Sequence, residues 1–286
     1  VTLRQRLEQW QAEWAQRRGI AFRPRNESSP ARAVIRLSDQ FLEPLDAAAE
    51  NEFLRGAGGE LSGEGSAGHL YSLLSSAALA VNVFQHWRYR PKRALLRALG
   101  FQELGPVWLG YEQPFPIVAG FGTPPQADVT LAAAGVTQFL CAIEAKFGEP
   151  YAEMPQHGLR PGHAGHAFFK QWPNLAKLAQ QISPEDCIHQ HLHAAQLLKH
   201  LLGLRTHAAR FTLAYLWFDV RGPAGRRHRD EAHEFTLRAR RDGLDVWAMS
   251  WQELWAALAE EAPEAEHRAY LNYLRDRYAL DRRVPE

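Results

Sequence analysis

The chain has two cysteines in 286 residues, Cys141 and Cys187. A disulfide framework or a Cys-rich zinc module needs more, so both are excluded. No apolar run approaches the roughly 20 residues that cross a bilayer. Residues 1–20 are charged and amphipathic, unlike a secretory leader. The expectation is a soluble, cytoplasmic protein with no membrane partner. Charge of one sign is lacking too: 33 Lys and Arg stand against 32 Asp and Glu. That balance neither demands nor forbids a nucleic-acid partner, because local distribution matters more than the sum. No internal repeat is evident.

What is present is an ordinary globular composition, 46% hydrophobic and 23% charged, in a chain long enough for a sizeable core. Its centre is the stretch DVTLAAAGVTQFLCAIEAK, residues 128–146. Two apolar runs flank Ala134-Gly135, which is the pattern of a β-hairpin reversing near Gly135 or Val136. Such a fold returns Glu144 beside Asp128. Cross-strand neighbours lie roughly 4.5–5.5 Å apart and residues two apart share a face, so Lys146 joins them. Two carboxylates gathered at one strand end repel unless a cation intervenes, and this reads as a divalent-metal site with a lysine beside it. The same residues also suit an exposed strand-end ion pair, Glu144 with Lys146, and a turn acid at Asp128.

The rest of the chain reads as follows. Leu3, Leu7, Trp10 and Trp14 make one stripe of an amphipathic helix over residues 2–18, which must dock on something, this chain before a partner. A polar link between Pro24 and Pro30 leads to a second helix, Glu43–Arg55. GEGSAG (63–68) matches G-x-G-x-x-G, but no strand precedes it and no acid follows at the ribose position, so a flexible loop is the reading. A helix covers 69–87, its Ser72, Ser75, Ser76 and Asn82 bonding to backbone or lining a polar site, and another covers KRALLRALG. VWLGYEQPF is a strand with Glu112 near its end. A polar loop spans 147–165, and helices cover 168–181 and 183–202, the latter capped by Ser183. FTLAYLWFDV (211–220) is a buried strand, followed by a basic loop and a strand pair over 234–249. Ser250 and Glu253 form a capping box for the next helix, and Tyr270, Leu274 and Tyr278 face inward on the last. The expected architecture is an α/β fold with a mixed sheet and an N-terminal helical extension.

An Asp on one strand and E-x-K on the next, after a helix and before a helix and further strand, resembles the PD-(D/E)xK, or restriction-endonuclease-like, nucleases. EAKFGEPY after the hydrophobic strand and the earlier SSAALAVNVF are similar to a bacterial restriction-endonuclease-like subgroup. The resemblance covers about Gly68–Val220. Ala127, not Pro, precedes Asp128; the prolines stand earlier, at Pro124 and Pro125. The resemblance implies a restriction-endonuclease-like core, a mixed central sheet flanked by helices, over residues 68–286, with residues 1–67 as a helical extension and glycine-rich loop. It implies that Asp128 and Glu144 bind Mg²⁺ or Mn²⁺, helped by the Ala145 carbonyl, and that Lys146 orients and helps deprotonate the attacking water. Glu112 would supply a further acid, with Glu50 and Glu52 as rivals. The implied activity is metal-dependent hydrolysis of DNA, as a restriction or defence endonuclease. The alternative is a non-catalytic nucleic-acid or partner-binding module on the same fold.

Among thirteen histidines, His189, His191, His193, His200 and His207 crowd one region. Without H-E-x-x-H or a cysteine among them, satisfied or exposed histidines are favoured over zinc. DNA phosphates would meet Arg226, Arg227 and Arg229, with Arg88, Arg90, Lys92 and Arg93 as further candidates. Enzymes that cut both strands are commonly dimeric, so a homodimer is a candidate assembly.

Overall fold

The computed structural model describes all residues except 27–28, 57, 64–65, 103–104, 119–120, 134–138, 153–155 and 281–286. Helix α1 (Leu3–Arg17) precedes a hairpin, β1 (Phe22–Asn26) and β2 (Ser29–Val34). Helices α2 (Ala47–Arg55), α3 (Ser76–Phe84) and α4 (Arg93–Ala98) lead to strands β3 (Trp108–Pro114), β4 (Gln126–Ala133) and β5 (Phe139–Lys146). Helices α5 (Pro173–Gln181) and α6 (Ala194–His207) come before β6 (Thr212–Trp217). Then follow α7 (Pro223–Arg241), β7 (Asp245–Ser250), α8 (Trp251–Glu261) and α9 (Ala265–Tyr278).

The five central strands lie in the order β7-β6-β5-β4-β3. β3, β4 and β5 form an antiparallel meander, while β6 and β7 join in parallel through helical crossovers. Register pairs Val129 with Ile143 and Ala133 with Phe139, so the chain reverses between Ala133 and Phe139. The turn itself, including Gly135 and Val136, lies outside the described residues. This polarity brings the ends of β3 and β5, the start of β4 and the end of β6 to one edge of the sheet. Alternate strand residues feed two cores. Ile143, Ala145 and Leu216 pack with α3, α8 and α9, whereas Ala142, Leu213 and Tyr215 pack with α5, α6 and α7. The mixed sheet flanked by helices and preceded by an N-terminal helix is the architecture expected.

Helix α1 docks on this chain. Its start is fixed by Thr2 and Gln5 capping one another, and Gln11 Nε2 donates to the Arg277 carbonyl at 2.9 Å. Glu52 on α2 accepts from the Tyr111 amide on edge strand β3 at 3.0 Å. An edge amide satisfied from a neighbouring helix is one fewer template for another chain.

Several sequence expectations are corrected. The link around Pro24–Pro30 belongs to the β1–β2 hairpin, and the second helix begins at Ala47, capped by Asp46, not at Glu43. The helix expected over 69–87 is interrupted: His69–Tyr71 is a 3₁₀ turn, and α3 starts only after Ser75, whose side chain accepts from Ala78 N–H. Asn82 donates to the carbonyls of Gln40 and Ala78 and to Tyr278 Oη, so it is a satisfied structural residue. GEGSAG, of which Glu64 and Gly65 lie outside the described residues, leads into that 3₁₀ turn rather than a dinucleotide-type helix. The loop after Lys146 contains short structure, a 3₁₀ turn (Glu149–Tyr151) and one helical turn (Pro161–Ala164).

Residues 183–193 are not helical. Glu185–Asp186 pairs with Gln156–His157, and the helix begins at Ala194. Gly203 lies within it, since α6 runs on to His207. A Cβ at Gly203 would lie 2.3 Å from the Phe115 carbonyl oxygen, so glycine serves close packing there. The expected basic loop and first strand of the pair are instead the 19-residue helix α7. The Ser250–Glu253 capping box and the inward Tyr270, Leu274 and Tyr278 are present as expected.

Candidate active site

The side chains singled out in sequence meet at the sheet edge. Asp128, near the start of β4, is half-buried, and its Oδ2 accepts from the Ala145 amide at 2.6 Å. Ala145 stands between Glu144 and Lys146, so this bond ties the first acid to the E-x-K segment. Glu144 is 1% exposed. Its Oε1 accepts a very short hydrogen bond from Lys146 Nζ, and its Oε2 is 2.7 Å from His200 Nε2 on α6. The Lys146 backbone is pinned as well, since its carbonyl accepts from Phe218 N–H and from the Trp251 indole, each at 3.0 Å. An exposed strand-end ion pair is therefore the wrong description of Glu144 and Lys146: both are buried.

Glu112 lies between Tyr111 and Gln113, which pair with Val129 and Ala127 on either side of Asp128, and it is the one residue of that run left unpaired, at a φ of 50°. A non-glycine residue in that region is uncommon, and backbone strain of this kind clusters at active sites and ligand clamps. It is 7% exposed and packs against the glycine-rich loop: a Cβ on Gly56 would lie 3.1 Å from Glu112 Oε2. Of its rivals, Glu50 is exposed, and Glu52 is engaged by Arg88 and the Tyr111 amide.

The electrostatics follow from crowding. Burial, then the Glu60 and Glu144 charges, push the Glu112 carboxyl up to about 8. Burial and the Glu144 charge also raise Asp128, against the pull of Lys146 and the Ala145 amide. For Glu144, burial favours the neutral acid, but Lys146 and His200 outweigh it and hold the carboxyl at about 2. Burial opposes the Lys146 charge, yet Glu144 and Asp128 outweigh it and raise that lysine. Burial, then nearby Lys146, lowers His193 to about 4. The edge thus carries more carboxylate than its cationic groups neutralise.

That charge excess is the test of whether the residues suit a divalent cation, and they fit. The donors are hard carboxylate oxygens. Among the described residues no group of three or more His, Cys, Asp or Glu is arranged to hold a metal ion. Magnesium does not need one, because it keeps several waters and binds through one or two carboxylates.

Sequence reasoning does not place His200 in this site. Its signal is a lone histidine on the buried stripe of α6 between Leu197, Leu201 and Leu204. Of the other histidines of that region, His189 bonds Asp186 and His191 the Pro150 carbonyl, whereas His193 stays close enough to Lys146 and Glu144 to feel their charges. Of the basic residues, Arg88 is corrected from the DNA surface to a buried ion pair with Glu52 and Asp46, and Arg227 pairs with Glu231. Arg221, Gly222, Arg226 and Arg229 line an open groove of about 540 Å³ where α7 begins. It follows β6 and so belongs to the same sheet edge.

A five-stranded mixed sheet between two helical layers, with acids and a lysine at one edge, defines a restriction-endonuclease-like protein. The chain belongs to the family described as restriction endonuclease associating with ARP, which it matches over residues 8–279. No curated protein and no solved structure matches it.

Proposed function

We propose that the protein is a metal-dependent phosphodiesterase that hydrolyses DNA, an endonuclease of restriction or defence type. The observation that carries this reading is the gathering of Glu112, Asp128, Glu144 and Lys146 at one sheet edge, with two carboxyls pushed upward by burial and then by neighbouring carboxylates. Family membership supports a nuclease or defence role.

Asp128 and Glu144 would hold Mg²⁺ or Mn²⁺ through their carboxylate oxygens. When bound, the ion would supply positive charge against the phosphate and lower the pKa of an attached water. Lys146, kept beside Glu144, would orient the attacking water and donate to phosphate oxygens as charge develops. Glu112 adds a third carboxyl able to take up or release a proton near neutral pH. In the hydrolysis a water gives up a proton as its oxygen bonds phosphorus, the phosphorus–oxygen bond to the leaving alcohol breaks, and that alcohol takes up a proton. Arg221 and Arg226 would meet flanking phosphates along the groove at the start of α7, with Arg229 beside them held by Asp219 at 2.6 Å.

The family description names association with ARP, and we extend that association to this chain as its protein partner. This keeps open a second reading, a non-catalytic nucleic-acid or partner-binding module. Incubating the protein with plasmid and with single-stranded DNA, in Mg²⁺, Mn²⁺ or EDTA, separates the two. Cutting that needs the metal supports the nuclease; binding without cutting in every metal supports the module.

A further inference from the structure

Glu144 is gripped at both oxygens, and one of the two grips comes from outside its own strand. We infer that His200 is a positioning residue for Glu144: from helix α6 its Nε2–H fixes the carboxylate plane, leaving the remaining lone pairs to face a cation. This rests on the nuclease reading and adds to it a residue beyond the strand pair.

His200 is 1% exposed, and its Nε2 stands 2.7 Å from Glu144 Oε2. A carboxylate that Lys146 also binds can only accept, so the proton of this bond belongs to the imidazole. The other ring nitrogen, Nδ1, is buried with no hydrogen-bond partner among the described residues. Histidines kept for the fold usually satisfy both nitrogens. His228 does so here, with Tyr215 Oη at 2.9 Å and Tyr151 Oη at 3.3 Å. His200 instead interrupts the leucine stripe of α6, with one polar bond, and that bond goes to Glu144.

The helix is held where this bond requires it. Gly203 lies against the Phe115 carbonyl, closer than any side chain would permit, and Thr206 Oγ1 donates to the Ile117 carbonyl at 2.9 Å. Both contacts anchor α6 to the segment leaving β3, the strand that carries Glu112. A carboxylate held only by Lys146 would depend on a flexible four-carbon stem. The imidazole, rigid and packed, removes that freedom. Partners that orient a metal ligand in this way are typically worth about 10–100-fold in metal affinity or activity.

The test is Mn²⁺ titration by calorimetry of the full chain, with cleavage kinetics alongside, for wild type, His200→Leu, His200→Gln and His200→Asn. Leucine completes the apolar stripe and should fold, yet offers no donor. The glutamine amide reaches about where Nε2 stood, whereas the shorter asparagine amide falls short. Leu and Asn should weaken Mn²⁺ binding roughly 10–100-fold and lower kcat with KM for DNA little changed, while Gln recovers most of both. Wild-type affinity for Mn²⁺ in a folded Leu or Asn variant overturns the inference and leaves the nuclease reading standing. If Leu does not fold, the Gln–Asn difference decides, and equal affinity overturns it. Wild-type protein that binds no Mn²⁺ overturns both.

Discussion

Asp128 Oδ2 takes the Ala145 amide hydrogen at 2.6 Å, across the strand pair and between the two other members of the acid–acid–lysine set. Side chains locked to one another's backbone should act as a unit. Alanine at Asp128, Glu144 or Lys146 is therefore expected to lower Mg²⁺-dependent cleavage by roughly 10²–10³-fold or more, with far-UV circular dichroism unchanged. Plasmid cleavage with time measures this. Full activity in all three variants removes the nuclease reading.

Glu112 makes stability depend on pH in an unusual direction for a carboxyl. Its folded value of about 8 lies above the ordinary 4.5. Between those values the folded protein keeps a proton that the unfolded chain has lost, so Glu112 makes stability fall as pH rises through the window and level off above it. In EDTA, Glu112→Gln should match wild type near pH 4. At pH 8.5 its Tm should be higher by several degrees. Equal melting temperatures at pH 8.5 would show the Glu112 charge to be already compensated.

Phosphate binding in the groove beginning α7 would make affinity for DNA salt-dependent. Converting Arg221 and Arg226 to Gln should weaken binding to unrelated DNA sequences alike. The slope of log K against log salt should become shallower by roughly 1 for each phosphate that an arginine no longer neutralises. Fluorescence anisotropy between low and moderate salt reads both; an unchanged slope moves the DNA path elsewhere.

Arg277 is fully buried, its guanidinium 4.6 Å from the Trp14 ring centre while donating to the Gln40 backbone and side chain. It joins α9 to α1 and to the turn before α2. Arg277→Met leaves buried Gln40 acceptors without their charged donor, at a cost of about 3 kcal/mol. The expected fall in Tm is roughly 6–12 °C, measurable by scanning calorimetry, with little effect on cleavage below the transition.

The sheet and its site are legible in sequence to different depths. Apolar runs ending in acids reveal β4 and β5, and hydrophobic strands bury on the period that places Glu144 and Lys146 on one face. The α7 helix is hidden because its buried side is sparsely apolar, mainly Ala232, Phe235 and Ala239, beneath an arginine-rich surface. Residues 183–193 mislead for another reason. Asp186 accepts from the amides of Ile188 and His189, and Glu231 from those of Gln190, His191 and Leu192. A carboxylate from a distant helix thus satisfies backbone that a local reading would coil into a helix. His200 escapes notice likewise, because its meaning lies in Glu144, a partner far off in the chain.

The larger core draws Leu7, Ala49 and Phe53 from early in the chain and Tyr270, Leu274 and Leu280 from late in it, around the same strands. Contacts so widely separated form slowly and only after most of the polypeptide exists. A chain still emerging from the ribosome would lack α9, and with it one wall of the layer that backs Ile143 and Ala145. The edge that gathers the carboxylates would gain its rigid backing late, when synthesis is nearly complete.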